Sequence, residues 1–347
     1  MSMPAADRDR PSLDSIDLDI VAALHVAPRV PSAALADILG VPSSTVSRRL
    51  SRMQDERMLR VVGRFAWELI TSSNPFELWI TSAPGRSREV LDELLRIPDI
   101  QFATQVSGPS DIHVHLYPLI GSDAEQLLAE RVPSIDGLIA LDSRMMLQPA
   151  KVGQSWRFAR LDDAVVRALE AHRPDVSADP ISSLDELSDL EFATMRILGA
   201  NARETAATIA RQLDVSPSTA ARAIKTVVHS GAVTPRVEIQ PSLIGYPLNA
   251  LLSLDVSPKS IGPVLEALAD QPNVRLLNAV TGAEPVSLSA AFSGPAALAE
   301  FIRTDLGDMK GVRAVSSSVV LRLARRYWID RERWRLGNQV PNVLRRA

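Results

Sequence analysis

The stretch Val41-Pro42-Ser43-Ser44-Thr45-Val46-Ser47-Arg48-Arg49-Leu50-Ser51-Arg52-Met53 decides how the chain is read. Val46, Leu50 and Met53 have the spacing of one buried helical face, so the hydroxyls and arginines between them point outward. Upstream, Asp14 precedes Ile16, Ile20 and Leu24, a capped helix with one apolar stripe that Pro28 and Pro31 stop. A short second helix, capped by Ser32, carries Leu35, Ala36, Ile38 and Leu39 and ends at Gly40, a natural C-terminal glycine. Two short helices, a tight turn and a third helix with small hydroxyls crowded at its start make a helix-turn-helix. Arg60-Val61-Val62-Gly63-Arg64-Phe65 then reads as a small strand or hairpin, the wing. That outward face suits duplex DNA: base edges are met near the helix N-terminus, arginines take guanine or phosphate, and Ser and Thr reach either. A merely solvated helical hairpin needs no such cluster of hydroxyls. The expected DNA contacts are Ser43, Ser44, Thr45, Ser47, Arg48, Arg49, Arg52 and Arg64.

The same pattern returns 174 positions later. Leu13, Leu24, Val41, Ser44, Thr45 and Arg48 fall on Leu187, Leu198, Val215, Ser218, Thr219 and Arg222. Leu78, Pro98, Gly108, Gly137 and Leu147 fall on Leu252, Pro272, Gly282, Gly311 and Leu321 without drift. This period is far beyond a solenoid repeat, so the chain reads as a duplicated folding unit with a built-in two-fold surface. Helices are expected near 189–199, 204–213 and 217–230, with a wing near 233–240. Ser218, Thr219, Arg222 and Lys225 are the second set of expected DNA contacts.

Behind each head the period changes. Phe76, Leu78 and Ile80 alternate, Val90, Leu91 and Leu94 are helical, and Ile100 to Val106 and Ile112 to Leu116 alternate again. Leu127, Leu128 and Val132 belong to a helix, and Leu138 to Leu147 to a last strand. Strand, helix, strand, strand, helix, strand is the ferredoxin-like βαββαβ order. The fold class is therefore α+β, with one sheet face covered by helices and the other left for pairing with a second chain. The expected divisions are winged heads at 11–68 and 184–242, sheet domains at 74–148 and 247–322, a linker with a helix at 149–183, and a basic aromatic tail at 323–347.

At 347 residues, 46% hydrophobic and 23% charged, this is the composition of an ordinary globular protein with more than one core. A chain without cysteine has no disulfide, thiolate metal site or cysteine nucleophile. No secretory signal and no apolar run of roughly 20 residues is visible, so a cytoplasmic protein with no membrane partner is expected. The net charge of −3 hides local concentrations: six arginines face only Asp55 and Glu56 over residues 43–64. No acid/base pair, phosphate loop or metal spacing appears, and neither a cofactor nor a catalytic residue is expected.

Leu13-Asp14-Ser15-Ile16-Asp17, Val41-Pro42-Ser43-Ser44-Thr45-Val46, Val106-Ser107-Gly108-Pro109-Ser110-Asp111 and Ile135-Asp136-Gly137-Leu138 together resemble the Lrp/AsnC regulators. The resemblance covers 13–147 and 187–321. It implies a winged helix-turn-helix joined to an effector-binding ferredoxin-like domain, dimerisation through the sheets, and a small effector, most often an amino acid. It places the effector near Val106, Gly108, Ser110, Asp111, His113 and Gly282. Two departures stand out: the family norm is one copy per chain, and Ser47, Arg49, Arg52 and Asp111 become Ala221, Ala223, Thr226 and Pro285. Asp111 after a Gly-Pro-Ser turn equally suits a backbone cap. His113 and His115 share one strand face, where lining a cleft against a partner domain is favoured over metal binding. The aromatic and basic tail is expected to pack on the body. Siroheme decarboxylases resemble the same two-domain unit, and Phe76-Glu77-Leu78-Trp79 is similar to their first strand. That enzymatic alternative is set against the arginine-bearing third helix and only five histidines.

Overall fold

The computed structural model describes residues 11–153, 156–158, 160–177 and 180–346. Residues 15–151 form α1 (Ser15–Val26), α2 (Ser32–Leu39), α3 (Ser43–Asp55), β1 (Leu59–Phe65), β2 (Phe76–Ser82), α4 (Ser87–Leu94), β3 (Ile100–Val106) and β4 (Ile112–Leu116). They continue with α5 (Ala124–Gln126), prolonged by a π turn, and β5 (Leu138–Lys151). After α6 (Asp163–Glu170) the same succession returns. It runs through α7 (Asp189–Ala200), α8 (Ala206–Leu213), α9 (Pro217–His229), β6 (Val233–Ile239), β7 (Leu248–Val256), α10 (Ile261–Ala269), β8 (Val274–Val280) and β9 (Val286–Phe292). Then come α11 (Pro295–Glu300), again prolonged by a π turn, β10 (Val312–Arg326), β11 (Ile329–Glu332) and β12 (Arg335–Gln339).

Each head is started by a capping box: Asp14 with Asp17 on α1, and Ser188 with Glu191 on α7. Pro31, not Ser32, is the residue that precedes α2, and it makes no side-chain cap. Gly40 takes φ +66° to end α2, and Asp214 takes the same left-handed conformation after α8. On α3, Val46, Leu50 and Met53 are the buried positions, as their spacing requires.

The wing is not a hairpin. β1 pairs antiparallel with β6, so each half supplies one strand of a shared two-stranded ribbon. The register runs from Leu59↔Ile239 through Val62↔Arg236 to Phe65↔Val233. A lone seven-residue strand leaves its N–H and C=O groups unpaired, and here the other half satisfies them. The heads also clasp directly. Arg29 donates to the carbonyl oxygens of Ala202 and Glu204, and Arg203 Nη1 donates to Pro28 O at 2.8 Å.

The remaining ten strands form one sheet in the order β12-β11-β10-β3-β4-β2-β5-β8-β9-β7, with β7 returning to β10. The eight from β10 to β7 therefore close a ring. Two long strands make the closure. β5 pairs with β2 as far as Met145 and with β8 from Met146, while β10 pairs with β7 as far as Val319 and with β3 from Val320. Leu78, Ile80, Ile112, Val114 and Leu116 pack outward against Val90, Leu91 and Leu94 of α4. Inside the ring lie buried polar residues: Glu77 Oε1 accepts from Ser287 Oγ at 2.9 Å and from Asn278 Nδ2 at 3.3 Å. The sheet face expected to await a second chain is thus covered by the other half of the same chain.

The expected linker belongs to a core, and the expected tail packs on the body as its aromatic content predicts. In 149–183, β5 runs on to Lys151, Trp156 and Phe158 are buried, and Leu169 of α6 joins the core of the first head. In 323–347, β11 and β12 extend the sheet, and Tyr327, Trp328, Ile329 and Leu336 sit in the core of the second head. Apolar bulk of this size gains more by burial than a solvated tether allows.

Candidate nucleic-acid face and a central cavity

α3 exposes Ser43, Ser44, Ser47 and Arg48, with Thr45 half-buried. Arg49 and Arg52 were expected to reach DNA, but both are engaged within the head. Arg49 Nη1 donates to Asp14 Oδ2 at 2.6 Å and Asp17 Oδ1 at 2.9 Å, and Arg52 Nη2 donates to Asp17 Oδ2 at 2.6 Å. Asp17 is 1% exposed, so two guanidiniums converge on one buried carboxylate at the start of α1. On α9, Ser218, Arg222 and Lys225 are exposed and Thr219 is half-buried, its N–H capped by Ser216 Oγ at 3.1 Å. Among the described residues no carboxylate forms an ion pair with Arg48, Arg222 or Lys225. The positions equivalent to Arg49 and Arg52 are Ala223 and Thr226, so the second head lacks the inward pairing.

Arg64 departs most from expectation. β1 is pinned against β6, and Arg64 is half-buried and lines an internal cavity instead of a solvent-facing wing.

Of the six expected effector residues, Val106, Gly108, Ser110 and Asp111 share one turn, where Val106 N donates to Asp111 O at 3.0 Å, while Gly282 lies at the opposite seam. Asp111 accepts from Ser82 N at 2.9 Å and from Ser82 Oγ, so it acts as a cap. Val106 is buried opposite Val320. Gly108, at φ +119°, lies where a Cβ would come within 2.9 Å of Ser318 Oγ, and Gly282, at φ +109°, lies against Arg144. Ser110 is half-buried beside Asp111. The turn is the seam of the ring: Ser107 N donates to Val319 O and Val319 N to Ser107 Oγ, both at 2.9 Å. Thr281 and Met145 make the same exchange at the opposite seam, at 3.0 and 2.9 Å. His113 sits inside the ring with its Nε2 at 3.0 Å from His115 Nε2. Burial, then the charge of Arg326, pushes His115 down to about 3, and burial, then His115 and Arg144, lowers His113. Both rings are neutral near pH 7. Among the described residues no group of three or more His, Asp or Glu is placed to hold a metal.

Sequence reasoning missed a cavity of about 140 Å³ between the β1–β6 ribbon and the ring. Arg64, Arg236, Arg275 and Arg326 line it, and no Asp or Glu does. Phe65, Trp67, Phe102, Tyr117, Tyr327 and Trp328 form walls, in a chain that is only 4% aromatic. The Arg236 guanidinium lies 4.5 Å over the Tyr327 ring, and that of Arg275 lies 4.6 Å over Trp156. Glu238 stands behind the wall, forms an ion pair with Arg236 and accepts a hydrogen bond from Arg331. Burial pushes its carboxyl up, but Arg236, Arg326, Arg331 and Arg275 outweigh that and hold it at about 2. Burial lowers Arg326 to about 10 and raises Tyr117 to about 12. The only local signal for this site was the excess of arginine and aromatic residues after Arg322, read as a tail.

With this geometry in place, two segments of the chain match known domain families. Residues 13–54 match the AsnC-type helix-turn-helix domain, and residues 249–327 match the Lrp/AsnC ligand binding domain. These two segments are similar to an AsnC-type helix-turn-helix and to a Lrp/AsnC ligand binding domain. It is 27% identical over 142 residues to an uncharacterized HTH-type transcriptional regulator of Pyrococcus horikoshii, covering 41% of this chain and 90% of the relative. It is 25% identical over 137 residues to the HTH-type transcriptional regulator Ptr1 of Methanocaldococcus jannaschii, covering 39% of this chain and 93% of the relative. Most of this chain lies outside each alignment. Among solved structures that match along most of the length is the siroheme decarboxylase NirDL, with a TM-score of 0.58 and 13% identity, covering 93% of this chain and 95% of that one; NirDL in co-complex with an iron-uroporphyrin III analogue matches with a TM-score of 0.56, covering 89% and 92%. At that identity the likeness concerns the fold. No helix among the described residues is long and apolar enough to cross a membrane.

Proposed function

We propose that the chain is an internally duplicated regulator that binds duplex DNA through α3 and α9 and whose affinity is set by a small effector. The observation that carries this reading is the pair Arg48 and Arg222. They stand at equivalent positions of two heads, exposed and without a carboxylate partner among the described residues, each beside exposed Ser side chains. Such a face fits phosphate and base contacts, and two heads on one chain suit half-sites about one helical turn apart. In this reading the units are heads over 11–68 and 184–242, each followed by a sheet domain that ends in β5 or β10. An effector changes affinity only by favouring one arrangement of the heads over another.

The test is fluorescence anisotropy on promoter duplexes across a salt series. Binding should weaken steeply with salt, with a log–log slope of roughly −0.9 per phosphate neutralised. Arg48→Ala should weaken binding by about tenfold while leaving the melting temperature unchanged. Salt-independent binding, or an Arg48→Ala protein that binds like the parent, rejects the reading.

A second reading is favoured by one observation, the arginine-lined cavity in a fold shared end to end with a siroheme decarboxylase. Titration with siroheme separates the two: a saturable shift of its absorbance bands supports the enzyme, and an unshifted spectrum removes it.

A further inference from the structure

The arginines of the central cavity are arranged asymmetrically. Arg236, Arg275 and Arg326 come from the second half, and 174 positions earlier stand Val62, Gln101 and Val152, none of them charged. Phe65, Trp67, Phe102 and Tyr117 come from the first half. Arg64 of the first half adds a fourth cation and Tyr327 and Trp328 of the second half add to the rings, so the cavity combines guanidiniums and aromatic side chains where the two halves have diverged. Among the described residues Arg275 and Arg326 have no carboxylate within ion-pair distance, and the one nearby acid, Glu238, is engaged by Arg236 and Arg331. Arg275 is 8% exposed. A buried cation without a counter-ion is unfavourable, and an anion entering the cavity relieves it. The aromatic side offers a ring the stacking and edge contacts that such walls favour. A volume of about 140 Å³ is that of a cavity holding one benzene-sized ring.

We propose that this cavity binds a small aryl carboxylate, its carboxylate held by Arg275 and Arg326 and its ring set among Phe102, Tyr117 and Tyr327. The ligand would touch Arg64 or Arg236 of the ribbon and Arg326 of the ring at once, so it bridges the part that joins the heads and the part that joins the sheets. Binding itself stands apart from DNA. Only its regulatory consequence rests on the function proposed above, with this cavity and not the Gly108 turn as the effector site.

The experiment titrates the full chain, without DNA, with benzoate, benzamide and succinate at millimolar concentration, read by tryptophan fluorescence and by thermal shift. Benzoate should saturate and raise the melting temperature, while benzamide and succinate leave it unmoved. Arg326→Gln should weaken benzoate binding by about tenfold or more. Should that variant not fold, Arg275→Gln, at the other arginine assigned to the carboxylate, serves in its place. Benzamide binding as well as benzoate, succinate binding better than benzoate, or a folded arginine variant with unchanged affinity overturns the proposal. A chain that binds benzoate and ignores every duplex rejects the regulator reading and leaves the site intact. A chain that binds DNA and no aryl carboxylate rejects the site alone.

Discussion

Arg48 and Arg52 lie one turn apart on α3, and their partners separate their roles. Arg52 and Arg49 share Asp17, whose carboxylate is 1% exposed and also accepts the N–H of Asp14 at 3.1 Å. Removing one member of a buried pair leaves the rest uncompensated, so Asp17→Ala should destabilise the protein by about 3 kcal/mol, measured by urea unfolding. A loss below about 0.5 kcal/mol, the range of exposed pairs, would show the cluster to be solvated. The sequence shows the arginines and hydroxyls of this helix plainly. It does not show which arginines point at α1, because helical spacing assigns a face and Arg49 and Arg52 lie at the margin between faces.

At the scale of elements, the ribbon and the strand pair around His113 respond in different ways. Gly63 of β1 lies against α7: a Cβ there would stand 2.7 Å from Leu198 O and 2.7 Å from Val233 Cγ1. A backbone carbonyl moves little, so Gly63→Ala should lower stability by about 1–3 kcal/mol and lower the melting temperature of the whole chain. On β4 the sign of the pH effect follows from the lowered histidines. Both stay neutral in the folded protein, while the unfolded chain takes up protons below its ordinary value of 6.5. Their contribution is complete above 6.5 and is lost progressively as the pH falls towards about 3. Glu77 works in the opposite sense, since burial raises its carboxyl and favours the folded form below that raised value. The melting temperature should therefore fall between pH values of about 7 and 5 more steeply in the parent than in a protein carrying His113→Gln and His115→Gln. Equal slopes would place the two rings in water. Strand and helix periods were legible throughout the sheet domains. The partner of β1 was not, because a single alternating strand says nothing about which edge it meets.

For the whole molecule, ring closure depends on β5 and β10, which run for 14 and 15 residues. Strands of ordinary length are about 5–6 residues, so these two long runs were the available signal for a strand serving two sheets. The polar inner faces gave a weaker one, since Glu77, His113 and His115 alternate with apolar residues as a solvated face would. A fragment ending at residue 183 uncovers that inner face and the edge of β1. It should self-associate, and light scattering should give the mass of a pair or more. A stable monomeric fragment would show that the first half closes alone.

Arg29 reaching Ala202 and Arg203 reaching Pro28 repeat one contact in both directions across the middle of the molecule. In two separate chains such a clasp would fail on dilution. Here the polypeptide holds the arms together at an effective concentration set by the connecting segment, whatever the supply of protein. Under the function proposed above, occupancy of a paired DNA target would rise in proportion to copy number, without the squared dependence of subunits that must first find each other.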